Sequence, residues 1–140
     1  MMFCHQCEET AKGTGCSTRG VCGKDDVFAA YQVLIYVCKG ISVRNLAAME
    51  QGKEDPAAGP FIANALFATL TNVHFDRARF RELIDQAIAM RDAIPASGRA
   101  EPDACTWKPV NEHDILEKLC YWIFRLAEDR RISSQVPVFS

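Results

Sequence analysis

Nowhere is this chain apolar for the ~20 residues that a bilayer-spanning helix needs. The longest such run is Val33-Leu34-Ile35-Tyr36-Val37-Cys38, which argues against a membrane span. Met1-Met2-Phe3 lacks the basic start and apolar stretch of a secretory signal. An excess of either charge is missing too: 16 basic residues face 18 acidic ones, for a net charge of -2. Nothing in that balance attracts nucleic acid or an anionic membrane. Repeats, low-complexity tracts, β-hairpin signals and a βαβ pattern are all absent. Histidine is scarce, and His5, His74 and His113 are scattered; His5 reads as a solvent-facing neighbour of two cysteines.

Cysteine, by contrast, is plentiful. There are seven in 140 residues. An odd number excludes complete internal pairing, and a chain of this length buries a core without covalent staples. The expectation is a cytoplasmic protein with reduced thiols. Four of the seven, Cys4, Cys7, Cys16 and Cys22, crowd the N-terminus among Gly13, Gly15, Gly20 and Gly23. Residues 1–24 therefore read as a loop that wraps a compact object.

The remainder predicts an all-α single domain over 1–140, an antiparallel bundle of three to four helices behind the irregular Cys/Gly-rich loop. Residues 25–94 hold three of the helices. In the first, from about Val27 to Gln51, Val27, Tyr31, Leu34, Cys38, Ile41 and Leu46 recur with helical spacing, with Gly40 weakening the middle. After a turn at Asp55-Pro56 and Gly59-Pro60, the second runs from Phe61 to Asn72 with Ile62, Ala65, Leu66 and Thr69 on one face. Asp76 caps the third, Arg77 to about Ala93, with Phe75 and Phe80 as its hydrophobic staple. Residues 95–110 carry Pro95, Pro102 and Pro109 and read as a long loop. A fourth helix, 111–131, starts at the cap Asn111 with a Val110–Ile115 staple.

Thiolates this dense require a metal. A cubane iron–sulfur cluster needs four of them converging from a flexible wrapper, and a glycine-rich backbone also brings N–H donors close to the sulfurs. Lys12, Arg19 and Lys24 are placed either to raise the reduction potential of such a centre or to be solvated loop charges. Zinc is the rival occupant, but structural zinc favours two short knuckles, and only Cys4-His5-Gln6-Cys7 is one here. A redox disulfide at Cys4 and Cys7 lacks the βαβ surroundings of thioredoxin-like proteins. Cys38 and Cys120 fall on apolar helix faces as small buried hydrophobes, and Cys105 reads as an incidental thiol. Trp107 and Trp122 are expected in the core or at its edge instead of shielding a cluster.

The opening Met2-Phe3-Cys4-His5-Gln6-Cys7-Glu8-Glu9-Thr10-Ala11-Lys12, continuing through Gly15-Cys16 to Gly20-Val21-Cys22-Gly23-Lys24, resembles the N-terminus of the hybrid cluster protein family, also called prismane or hydroxylamine reductase. Leu34 to Ser42, Leu66 to Asn72 and Ala78-Arg79-Phe80 extend the likeness. It covers about the first two-thirds of the chain and reaches Thr106-Trp107 more faintly; residues from about Asn111 onward depart from it. The resemblance implies that Cys4, Cys7, Cys16 and Cys22 hold a 4Fe-4S cluster within the N-terminal helical part of a much longer polypeptide. It also implies that hydroxylamine reduction takes place at a second, hybrid cluster with ligands in later domains.

With the chain ending at Ser140, the expected function is a 4Fe-4S electron-transfer module without a hybrid cluster and without catalysis of its own. Its partner would be a redox protein or the missing catalytic domains. An exposed helix face would allow a homodimer. The alternatives are an iron–sulfur sensor or interaction module and a structural zinc domain.

Overall fold

The computed structural model describes residues 2–4, 6–7, 9–70, 76–119 and 121. The described residues are mostly helical and contain no strand, as the all-α expectation requires. Helix α1 (Asp26–Ala30) starts where the Asp25 carboxylate accepts the Phe28 N–H at 2.9 Å. Helix α2 (Val33–Met49) follows after a break at Tyr31-Gln32, so the single helix expected from Val27 to Gln51 is two. Both break residues are buried, and the kink turns Gln32 toward the N-terminal loop.

Helix α3 (Ala58–Leu70) begins three residues earlier than Phe61. Gly59-Pro60, expected in the turn, lies in its first turn, where proline loses no helical hydrogen bond. The turn before it is held by Asn45, whose side chain accepts the Asp55 N–H at 2.7 Å and donates to the Asp55 carbonyl at 3.3 Å. Helix α4 (Arg77–Ala93) has the expected limits, and Asp76 accepts the Arg79 N–H at 3.1 Å. Phe75, the other half of the expected staple, lies outside the described residues.

Helices α2, α3 and α4 alternate in direction. At one end Tyr31 stacks on Phe80, ring centroids 6.0 Å apart, and at the other Arg44 donates to the Arg91 carbonyl at 3.2 Å. Helix α3 runs back between those ends, from the Asn45–Asp55 turn to Thr69 beside Lys24. The core between them contains Leu34, Val37, Ile41, Ile84 and Ala87, none more than 0% exposed. Each fully buried Leu or Ile there contributes about 1.5–3 kcal/mol. Leu46, expected in the core, is 63% exposed, and Leu66 is also exposed.

By length and composition alone the 24 residues Asp26–Met49 would pass for a membrane span, an 18-residue window within them having mean hydropathy 1.3. In the bundle 67% of that window is buried against the protein itself. Its apolarity is therefore used by the core.

Segment 95–110 is irregular as expected, but its 3-10 turn Asp103–Cys105 is core structure. Ala104 and Cys105 are buried, and the Ala104 carbonyl sits so close to α2 that a Cβ on Gly40 would lie 2.1 Å from it. Gly40 thus admits the segment, and α2 runs through it unbroken. Cys105 is a packed core thiol, not an incidental one.

The wholly buried Arg91 fastens the same segment. Its Nη1 donates to the Ala104 and Trp107 carbonyls at 3.1 and 2.7 Å, and its Nε to Asp92 at 3.0 Å. Nη2 lies 3.0 Å from that same Asp92 oxygen but without hydrogen-bond geometry. Arg44 adds an ion pair to Glu101 at 2.9 Å.

Residues 112–119 are helical, and Asn111 caps them by accepting the Asp114 N–H at 3.0 Å. The Asp114 carboxylate in turn accepts the Val110 N–H at 2.6 Å. The Val110–Ile115 staple does not form: Ile115 is buried but Val110 is 88% exposed. Cys120, Trp122 and the rest of the expected 111–131 helix lie outside the described residues, apart from Tyr121.

Candidate metal centre

Cys4 and Cys16 meet as an isolated antiparallel bridge, exchanging N–H···O bonds of 2.9 and 2.8 Å. This pinches the N-terminal loop so that positions twelve apart in sequence lie side by side. Gly15, at φ +117°, makes the turn possible, and a Cβ there would strike the Phe3 ring at 2.6 Å. Met2, Cys4, Cys16 and Ala29 form a small apolar cluster that seats the loop on α1.

All four N-terminal cysteines line one narrow cleft, with Gln6, Glu9, Thr10, Gly20, Val21, Lys24 and Leu70 around them. The cleft is tight: about 10 Å³ of it is open to the centre of a water-sized sphere. The cysteines are unequal. Cys4 and Cys16 are buried, whereas Cys7 and Cys22 are half-buried. No disulfide joins any of them. Among the described residues no three His, Cys, Asp or Glu side chains close on a point suited to a single metal ion. The thiols line a common space without gripping its centre.

The buried pair also receives the hydrogen bonds. The Ala11 N–H points to Cys16 Sγ at 3.4 Å, and the Gln32 amide Nε2 lies 3.0 Å from Cys4 Sγ. Both groups stabilise a thiolate by donating to it. A donor set of four soft sulfurs with N–H groups directed at two of them fits an iron–sulfur centre.

Lys24 is buried and donates through Nζ to the Thr69 carbonyl at 2.6 Å. The cation thus serves the C-terminal end of α3, where carbonyls lack helical partners. Lys12 and Arg19 are exposed. The choice between tuning charges and solvated ones divides accordingly: Lys24 alone is built into the cleft wall.

Of the remaining cysteines, Cys38 and Cys105 stay apart from the cleft, and Cys120 lies outside the described residues. Burial pushes the Cys38 thiol up to about 12, so it stays protonated in the core. Cys105 is raised for the same reason and lies 3.7 Å from the Gly40 carbonyl. Trp107 packs edge-on to Tyr36, away from the cleft lining. His113 is exposed beside Glu117 at 3.4 Å, and His5 and His74 lie outside the described residues.

Gln32 was the residue missed by sequence reasoning. Its place between two apolar helical stretches gave no signal, because only the break after Ala30 turns it toward the loop.

Comparison with known proteins extends the likeness past the N-terminus. The model of the Prismane/CO dehydrogenase family matches residues 2–134, and the chain belongs to that family. A hydroxylamine reductase of Desulfitobacterium hafniense (strain DSM 10664 / DCB-2) is 42% identical over 126 residues, covering 84% of this chain and 23% of the relative. The hydroxylamine reductase of Thermoanaerobacter pseudethanolicus is 39% identical over 141 residues, covering 99% of this chain and 24% of its own length. The likeness therefore does not stop at two-thirds of the chain or depart at Asn111. The chain spans about a quarter of the length of these relatives.

Proposed function

We propose that the chain holds a 4Fe-4S cluster through Cys4, Cys7, Cys16 and Cys22 and relays single electrons to a partner protein in the cytoplasm. The observation that carries this reading is the gathering of all four thiols around one cleft in a member of this family. When bound, such a cluster takes up and gives back one electron without making or breaking a covalent bond to substrate.

The protein's own contribution is asymmetric. Cys4 and Cys16 anchor the buried side with a backbone bridge and N–H donors. Cys7 and Cys22 are the more exposed pair, and the exposed Val21 and Leu70 line the same cleft. Electrons would enter and leave there, where a docked partner comes nearest.

The relatives named hydroxylamine reductase are roughly four times this chain's length. We assign that reaction to parts of those relatives beyond the matched region. Supplied with reduced dye and hydroxylamine, this chain is expected to form no ammonia, while a reduced cluster gives an electron paramagnetic resonance signal integrating to one spin per chain. Robust ammonia formation would place the chemistry within residues 1–140. A half-exposed ligand edge also suits a sensor of oxygen or nitric oxide. Rapid, stoichiometric bleaching by either gas, with no electron exchange with reduced protein carriers, would favour that reading.

A further inference from the structure

Within this proposed cluster site, we infer that Gln32 is a positioning residue that sets the electron affinity of the centre through the Cys4 sulfur. The inference rests on the cluster assignment above and adds a role that four cysteines alone do not define.

Gln32 is 6% exposed and sits at the break between α1 and α2. Its backbone is committed to that break: its N–H goes to the Ala29 carbonyl at 3.2 Å and its carbonyl accepts from Ile35 at 2.9 Å. The side chain is thereby held on the loop side, with Nε2 3.0 Å from Cys4 Sγ. For N–H···S this is a short contact. A metal-bound thiolate has no proton to give, so of the two amide orientations only the one presenting N–H to sulfur is favourable.

A donor at 3.0 Å withdraws electron density from the thiolate and favours the reduced, more negative state of a cluster. The effect is local because Cys4 is buried and screening by water is weak. Lys24 also lines the cleft, but its ammonium donates to the Thr69 carbonyl, not to a sulfur. Among the described residues, Gln32 supplies the side-chain donor directed at a cleft sulfur.

The test compares wild type with Q32L, which removes the donor, Q32E, which replaces it by a carboxylate, and Q32N, which withdraws the amide by one methylene. Each is loaded anaerobically, assayed for iron and sulfide, checked for helix content by circular dichroism, and titrated for midpoint potential by electron paramagnetic resonance. Iron and sulfide in wild type decide the cluster assignment separately. The expected order of potentials is wild type above Q32N and Q32L, with Q32E lowest, at equal iron content. Equal potentials in the variants that load would overturn the inference. So would failure of all three to load with helix content intact, because Gln32 would then be holding the loop together instead of tuning it.

Discussion

Lys24 carries its charge into a buried place and meets the Thr69 carbonyl at 2.6 Å, so the side chain joins the cysteine loop to the end of α3. Lys24→Met keeps the apolar stem and removes that charge-assisted hydrogen bond. It is expected to lower stability by about 1.5–3 kcal/mol, read from the urea midpoint. The cysteines divide by the same logic. Cys16→Ser is expected to abolish stoichiometric iron binding with helix content retained. Cys38→Ala, in the apolar core, should cost about 1–2 kcal/mol and leave iron content unchanged. Iron retained in the first variant, or lost in the second, would reverse the assignment of roles. None of this contrast depends on spacing, since both residues are buried; it depends on which lies on the cleft.

At the scale of elements, α4 was the most legible part of the chain. Asp76 is a strong cap, the apolar residues keep helical spacing, and Pro95 follows directly. Helix α3 was legible except at its start, because Gly59-Pro60 satisfies a turn and a helix N-terminus equally well. Segment 95–110 was recognised as irregular but not as core: proline and glycine content says nothing about a buried Arg91 that binds two of its carbonyls. Its dependence on Gly40 was equally hidden, since close approach of two distant segments leaves no local pattern. Gly40→Ala is expected to destabilise by about 1–3 kcal/mol as Ala104 is pushed away, although alanine is the better helix former. An unchanged or raised thermal midpoint would contradict that packing.

Carboxylates clamp the same segment and make its docking sensitive to acid. Hydrogen bonding from Lys118 holds Asp103 below its ordinary 3.8, opposed by burial and helped by Tyr36. Burial pushes Asp92 and Glu101 upward, but hydrogen bonds from Lys108 and Arg91 to the former and from Arg44 to the latter leave both lowered. A carboxyl lowered on folding contributes stability that is present above its unfolded value and lost as pH falls through its folded one. Docking of 95–110 is therefore expected to be intact above about pH 5 and to weaken progressively below about pH 4. Trp107 fluorescence in a Trp122→Phe background reports it; a pH-independent signal down to pH 2.5 would contradict the clamp.

Across the described residues, helices α1–α4 support an N-terminal loop whose four thiols share a cleft, two of them buried and two half-buried. The identity of the loop was legible because its four cysteines stand close in sequence. Its geometry was not, because the Cys4–Cys16 bridge and the Gln32 contact arise only once the loop is laid on α1 and α2. The central claim is the cluster itself, and metal analysis of the chain purified and reconstituted without oxygen tests it most directly. Four irons and four sulfides per chain are predicted, with zinc absent; one zinc per chain and no sulfide would contradict the account.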